Sequence, residues 1–97
     1  MEKIQYDYLA QHRVQHRVHV GVVGSGDLEV LLEPSPDART HVVVNTSVDG
    51  FGAIWKNVLD RFFERFHGAV SIEINDFGAT PGTVLLRLAQ AVEGLGA

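Results

Sequence analysis

The stretch that decides the fold is Val18-His19-Val20-Gly21-Val22-Val23-Gly24-Ser25-Gly26-Asp27-Leu28-Glu29-Val30-Leu31-Leu32-Glu33. Its two halves alternate apolar and polar residues, the mark of half-buried β-strands. Residues directly opposite in an antiparallel pair point to the same face, so their numbers sum to a constant. With a two-residue loop, Val22 would face Glu29 and Val18 would face Glu33, and apolar faces would meet polar ones. With Gly24-Ser25-Gly26 as the loop, Val22 faces Leu28, Val20 faces Val30, Val18 faces Leu32 and Arg17 meets Glu33. A slip of one residue would turn a whole strand over, so this parity is strongly preferred. A loop from Val23 to Asp27 keeps the same parity. Both place Ser25 at the apex. Gly26 supplies the positive φ that such a loop often requires at its end. The expected result is a hydroxyl without bulky neighbours on a stiff hairpin. Taken alone the pattern is also that of an ordinary tight turn, where Gly and Ser are common.

Outward from the hairpin, residues 13–23 extend the first strand, with Val14, Val18, Val20 and Val22 opposite Arg13, Gln15, Arg17 and His19. Residues 3–9 alternate Ile4, Tyr6 and Tyr8 with polar neighbours and predict a short strand suited to a sheet edge. Pro34 and Pro36 punctuate a loop, and residues 40–46 predict another strand. The period then changes. Phe51, Ile54, Trp55, Val58, Leu59, Phe62, Phe63 and Phe66 recur at steps of three and four, an amphipathic helix whose aromatic residues read mainly as core. Asp49 is a candidate cap, and Gly68 sits where a left-handed stop is expected. Val70, Ile72 and Ile74 predict a further strand. Thr80-Pro81 is a helix start, and Val84, Leu85, Leu88, Ala91 and Val92 form the buried stripe of a helix closed by Gly94. The order predicts an α+β two-layer sandwich: a mostly antiparallel sheet of four to five strands with two helices on one face. Residues 40–75 would form a right-handed β-α-β crossover if its strands are parallel.

Composition bounds the function. The 97 residues make one domain, 1–97, with a net charge of −4 and a hydrophobic content of 45%. An acidic chain of pI ≈ 5.6 is poorly suited to nucleic acid or an anionic membrane. There is no cysteine, so any thioester sulfur must come from a cofactor. No apolar run approaches the roughly 18 residues of a membrane span. The N-terminal residues lack the apolar segment of a signal peptide, and a cytoplasmic location is expected.

Three segments resemble the malonate decarboxylase acyl-carrier (delta) subunit family: Gly21 to Pro34, Thr46-Ser47-Val48-Asp49-Gly50, and Asp76-Phe77-Gly78-Ala79-Thr80-Pro81-Gly82. They occur in the family's order, and the resemblance spans nearly all of residues 18–92. It implies that Ser25 carries a 2′-(5″-phosphoribosyl)-3′-dephospho-CoA group through a phosphodiester. It further implies a non-catalytic carrier of acetyl and malonyl thioesters, served by acyl-transferase and decarboxylase subunits and by a prosthetic-group transferase. Gly24, Gly26 and Asp27 would accompany Ser25 in the cofactor-binding segment, and the transferase is a candidate reader of Asp27 and Glu29. The citrate lyase carrier is related, but the Gly-Ser-Gly-Asp-Leu-Glu and Phe-Gly-Ala-Thr-Pro-Gly runs are closer to the malonate system. A four-helix acyl carrier presents serine at a helix start within Asp-Ser-Leu, unlike this hairpin.

Competing readings are weaker. His12, His16 and His19 lie on or beside a strand, where His16 and His19 face opposite sides, a poor arrangement for a metal. His41 and His67 read as surface or strand-end residues. Asp76-Phe77-Gly78 matches a kinase triplet without the other kinase motifs. Gly24-Ser25-Gly26 lacks the strand-turn-helix setting of a nucleophile elbow. A non-covalent interaction or scaffolding module remains the alternative to a covalent carrier.

Overall fold

In a computed structural model, residues 1–95 are described. The elements are β1 (Glu2–Leu9), β2 (His12–Arg13), β3 (Val18–Gly21), β4 (Leu28–Pro34), β5 (Arg39–Thr46), α1 (Gly52–Phe63), β6 (Gly68–Asp76) and α2 (Pro81–Glu93). Five strands lie in the order β1-β5-β6-β4-β3, and the short β2 pairs with the start of β6. β1–β5, β4–β6 and β3–β4 are antiparallel; β5–β6 and β2–β6 are parallel. The α+β two-layer architecture is therefore as the sequence implied, including the parallel β5-α1-β6 unit.

One face of the sheet is buried because every strand alternates in phase with its neighbours. Leu28, Val30 and Leu32 of β4, Val42 and Val44 of β5, and Val70, Ile72 and Ile74 of β6 form the sheet side of the core. Trp55, Val58, Leu59 and Phe63 of α1 and Val84, Leu88 and Ala91 of α2 close it from above. Burial of this apolar area is the main source of stability, at roughly 25 cal/mol per Å². β1 is an edge strand, as its pattern suggested. Its tyrosines reach into the helical layer: Tyr6 donates to the Gly52 carbonyl at 3.0 Å and Tyr8 to Asp60 Oδ1 at 2.8 Å. Thr40, fully buried, donates to the Gly68 carbonyl at 2.8 Å, so this buried hydroxyl is satisfied.

Several local expectations differ. Residues 14–17 are not strand. The chain leaves β2 beside β6, where Gln11 N–H donates to His67 O at 2.7 Å, and crosses to the outer edge of β4 before β3 begins. Asp49 does not cap α1; Phe51 occupies the N-cap, without a side-chain hydrogen bond. Gly68 is not a left-handed helix stop but the first residue of β6. A Cβ there would lie 2.6 Å from both Phe66 and Val14, so close packing explains the glycine. Gly94 does cap α2, in a right-handed conformation.

Candidate functional site

The candidate site is built on the β3–β4 connection. The observed register is Val18↔Leu32, His19↔Leu31, Val20↔Val30 and Gly21↔Glu29, the parity inferred from the sequence. The loop is longer than the three or five residues expected, because the ladder stops at Gly21 and β4 begins at Leu28. Gly21 is the reason. Its φ is +82°, and a Cβ there would lie 2.1 Å from the Leu28 carbonyl oxygen. The strand turns away at that close approach. Val22 therefore does not face Leu28: Val22 is 61% exposed while Leu28 is fully buried.

Within the loop, Asp27 N–H donates to Gly24 O at 3.0 Å, closing a turn over Ser25 and Gly26. Gly26 has φ of +77°. A left-handed residue at the third position with an i to i+3 hydrogen bond fits a type II turn. Ser25 occupies the second position and is exposed. A Cβ added at Gly26 would meet nothing within 4 Å, and one at Gly24 would meet only Val22 Cγ2 at 3.9 Å. The space around the serine is open, which fits a bulky phosphodiester substituent.

The turn is held at its far side. Phe77 N–H donates to Asp27 O at 2.9 Å and Gly26 N–H donates to Phe77 O at 2.8 Å, continuing the β4–β6 ladder one pair past Leu28↔Asp76. Asp27 also accepts two hydrogen bonds from Arg87 of α2, Nε to Oδ1 at 3.2 Å and Nη2 to Oδ2 at 2.7 Å, while its own Oδ1 accepts from Leu28 N–H at 2.7 Å. This bidentate geometry is the strong form of a carboxylate–guanidinium pair. The Arg87 bonds first, and the Leu28 N–H second, hold the Asp27 carboxyl below the usual aspartate range. Asp27 is thus a brace between loop and helix. Arg87 as its partner left no local signal, because nothing in the pattern links positions 60 residues apart.

Asp76-Phe77-Gly78 is the joint between β6 and α2, next to the serine loop, a proximity the sequence could not reveal. Asp76 is only 4% exposed. Its Oδ2 accepts from Thr46 Oγ1 at 2.8 Å and its Oδ1 from Ala79 N–H at 2.9 Å. Thr80 caps α2 by accepting from Thr83 N–H at 3.2 Å, with Pro81 in the first turn. Between the starts of the two helices lies a cavity of ≈ 220 Å³, walled by Phe51, Ile54 and Trp55 on one side and Ala79, Pro81 and Val84 on the other. The aromatic run of α1 is mainly core, yet Phe51 and Ile54 are exposed at this rim.

The remaining candidates lie elsewhere. Glu29 sits beside Asp27 in sequence but on the other face, accepting from Asn75 Nδ2 at 2.8 Å and bonded to His19 at 3.1 Å. His12 begins its own two-residue strand, apart from His19. Among the described residues, no group of three or more His, Cys, Asp or Glu is placed to hold a metal ion. Nor is any of their helices long and apolar enough to cross a membrane.

The family model described as the malonate decarboxylase delta subunit matches residues 15–95. The chain is 47% identical over 94 residues to the malonate decarboxylase acyl carrier protein of Azotobacter vinelandii, covering 96% of this chain and 95% of that one. It is 47% identical over 97 residues to the protein of the same description from Pseudomonas savastanoi pv. phaseolicola, covering 99% and 98%. A chain in the crystal structure of a Pseudomonas malonate decarboxylase hetero-tetramer in complex with malonate superposes with a TM-score of 0.94 at 44% identity, covering 99% of this chain and 100% of that one.

Proposed function

This chain belongs to the malonate decarboxylase delta-subunit family of acyl carrier proteins, and from that premise we propose that Ser25 is the attachment point of its prosthetic group. The group is 2′-(5″-phosphoribosyl)-3′-dephospho-CoA, joined to the serine oxygen through a phosphodiester. When bound, it supplies a thiol that holds acetyl and malonyl groups as thioesters, chemistry that a chain without cysteine lacks. The observation that carries the reading is the setting of Ser25: an exposed hydroxyl on a type II turn, with open space at both neighbouring glycines.

The chain's own contribution is presentation. Gly26 allows the turn, Phe77 fixes its backbone, and the Arg87–Asp27 pair ties it to α2. A serine so held reaches a transferase without rearrangement of the carrier, and preorganisation lowers the cost of recognition. Tethering raises the effective concentration of the acyl group at each partner site. The carrier performs no bond-making itself; acyl-transferase and decarboxylase subunits do so, in the cytoplasm. The excess of acidic residues favours basic docking faces on those subunits.

Intact-mass spectrometry tests the proposal. Coexpressed with the enzymes that make and transfer the arm, the wild type gains one cofactor mass and Ser25→Ala gains none. A wild type that stays unmodified while an authentic carrier is loaded in parallel overturns it.

A further inference from the structure

The cavity between the helix starts comes close to the serine loop at one lining residue, Gly78. Gly78 lines it, and a Cβ at Gly78 would lie 4.0 Å from Gly26 N, the residue after Ser25. Phe77, one residue earlier, is the hydrogen-bond partner of that same Gly26. The walls are apolar, from Phe51, Ile54, Trp55, Ala79, Pro81 and Val84. At ≈ 220 Å³ the space is below the range of about 300–1,000 Å³ that holds a drug-sized ligand, so it suits the short end of a chain and not a nucleotide.

We propose that this recess is a resting site for the acylated end of the arm on Ser25, and that it admits the acetyl form and rejects the malonyl form. The proposal rests on the attachment reading above and adds a binding site on the carrier itself. Two observations set the selectivity. The recess offers apolar surface, which suits a neutral methyl thioester and penalises burial of an ionised carboxylate. The carboxyl of Asp76 also lines it, with its oxygens already engaged by Thr46 Oγ1 and Ala79 N–H as acceptors. A malonyl carboxylate entering the recess would lose its hydration against apolar walls and would meet the Asp76 oxygens only as further acceptors. Because the tether is anchored one residue from Gly26, which lies against the lining residue Gly78, even a weak contact is populated. The consequence is a carrier that stows its charge-free form and leaves the form awaiting decarboxylation free for its partner.

The test compares isotopically labelled carrier in the unmodified, acetylated and malonylated states, each verified by intact mass. The acetylated carrier should shift the indole resonance of Trp55, the chain's one tryptophan, together with the amides of Gly78 and Ala79. The malonylated carrier should leave these three at their unmodified positions. Cleavage of the acetyl thioester by neutral hydroxylamine should be about threefold faster in Ile54→Glu than in wild type, as expected when a mostly stowed population is released. Ile54 is at the exposed rim, and the wild-type spectra decide the question independently of that variant. If the mass confirms loading but the acetyl spectrum differs from the unmodified one only at residues 22–28, or if both acyl forms shift Trp55 alike, this inference fails while the attachment stands. If no mass is gained, the attachment reading fails and takes the inference with it.

Discussion

At the scale of single residues, Gly21 and Gly26 show how the same backbone requirement carries different penalties. Both have positive φ. Gly21 also lies against the Leu28 carbonyl, whereas Gly26 faces open space. Gly26→Ala should therefore cost only the left-handed strain of about 1 kcal/mol. Gly21→Ala adds a backbone collision and should cost at least ~2 kcal/mol. Urea denaturation of the two variants checks the order; equal losses would refute the close-approach account. This is also where the sequence was hardest to read. An alternating run hid Gly21 among valines, though an isolated glycine in a strand pattern is itself a signal of a bulge or close approach. Ser25 was legible because its position follows from parity alone. Arg87 was not, because its role depends on which face of α2 meets the loop.

At the scale of elements, the edge strand β1 is tied to β5 by His41 as well as by the ladder. Its Nδ1 is 2.7 Å from Asp7 on β1, and its Nε2 is 3.0 Å from Asp37 in the loop before β5. The hydrogen bond to Asp7 first, and that to Asp37 second, raise the imidazole above its ordinary value. A raised histidine stabilises the fold fully below its unfolded value of about 6.5 and loses that contribution as pH climbs through the folded value. The urea midpoint of the wild type should thus fall as pH rises above neutrality, and His41→Gln should lack that component. An imidazole titration followed by NMR that showed an unshifted or lowered midpoint would contradict the pairing. The sequence placed His41 at a strand without showing its two carboxylates, since one of them lies 34 positions away on a neighbouring strand. Helix ends were legible where a side chain acts locally, as at Thr80-Pro81. They were misread at Asp49 and Gly68, where tertiary packing sets the boundary.

At the scale of the whole molecule, one core joins the two layers, and Leu88 is at its centre with no exposure. Leu88→Ala should cost about 2–5 kcal/mol, the range for a leucine removed from a packed interior. Chemical denaturation gives the value, and a loss under ~1 kcal/mol would mean that the helical layer packs loosely. The architecture was readable because each strand's alternation and each helix's stripe agree on one buried face. The order of strands was not, because β5 and β6 pair across a helix and β4 joins them from a different part of the chain.

The seam between Asp27 and Phe77 has a mechanical meaning. A bend stitched on one side to a central strand and on the other to a helix does not swing; it moves with the body of the molecule. A group carried on the Ser25 oxygen would therefore pivot at the side chain's own bonds, like a load on a cable whose mast is bolted down. Its working radius would be the length of the cable, and every partner station would have to stand within that circle.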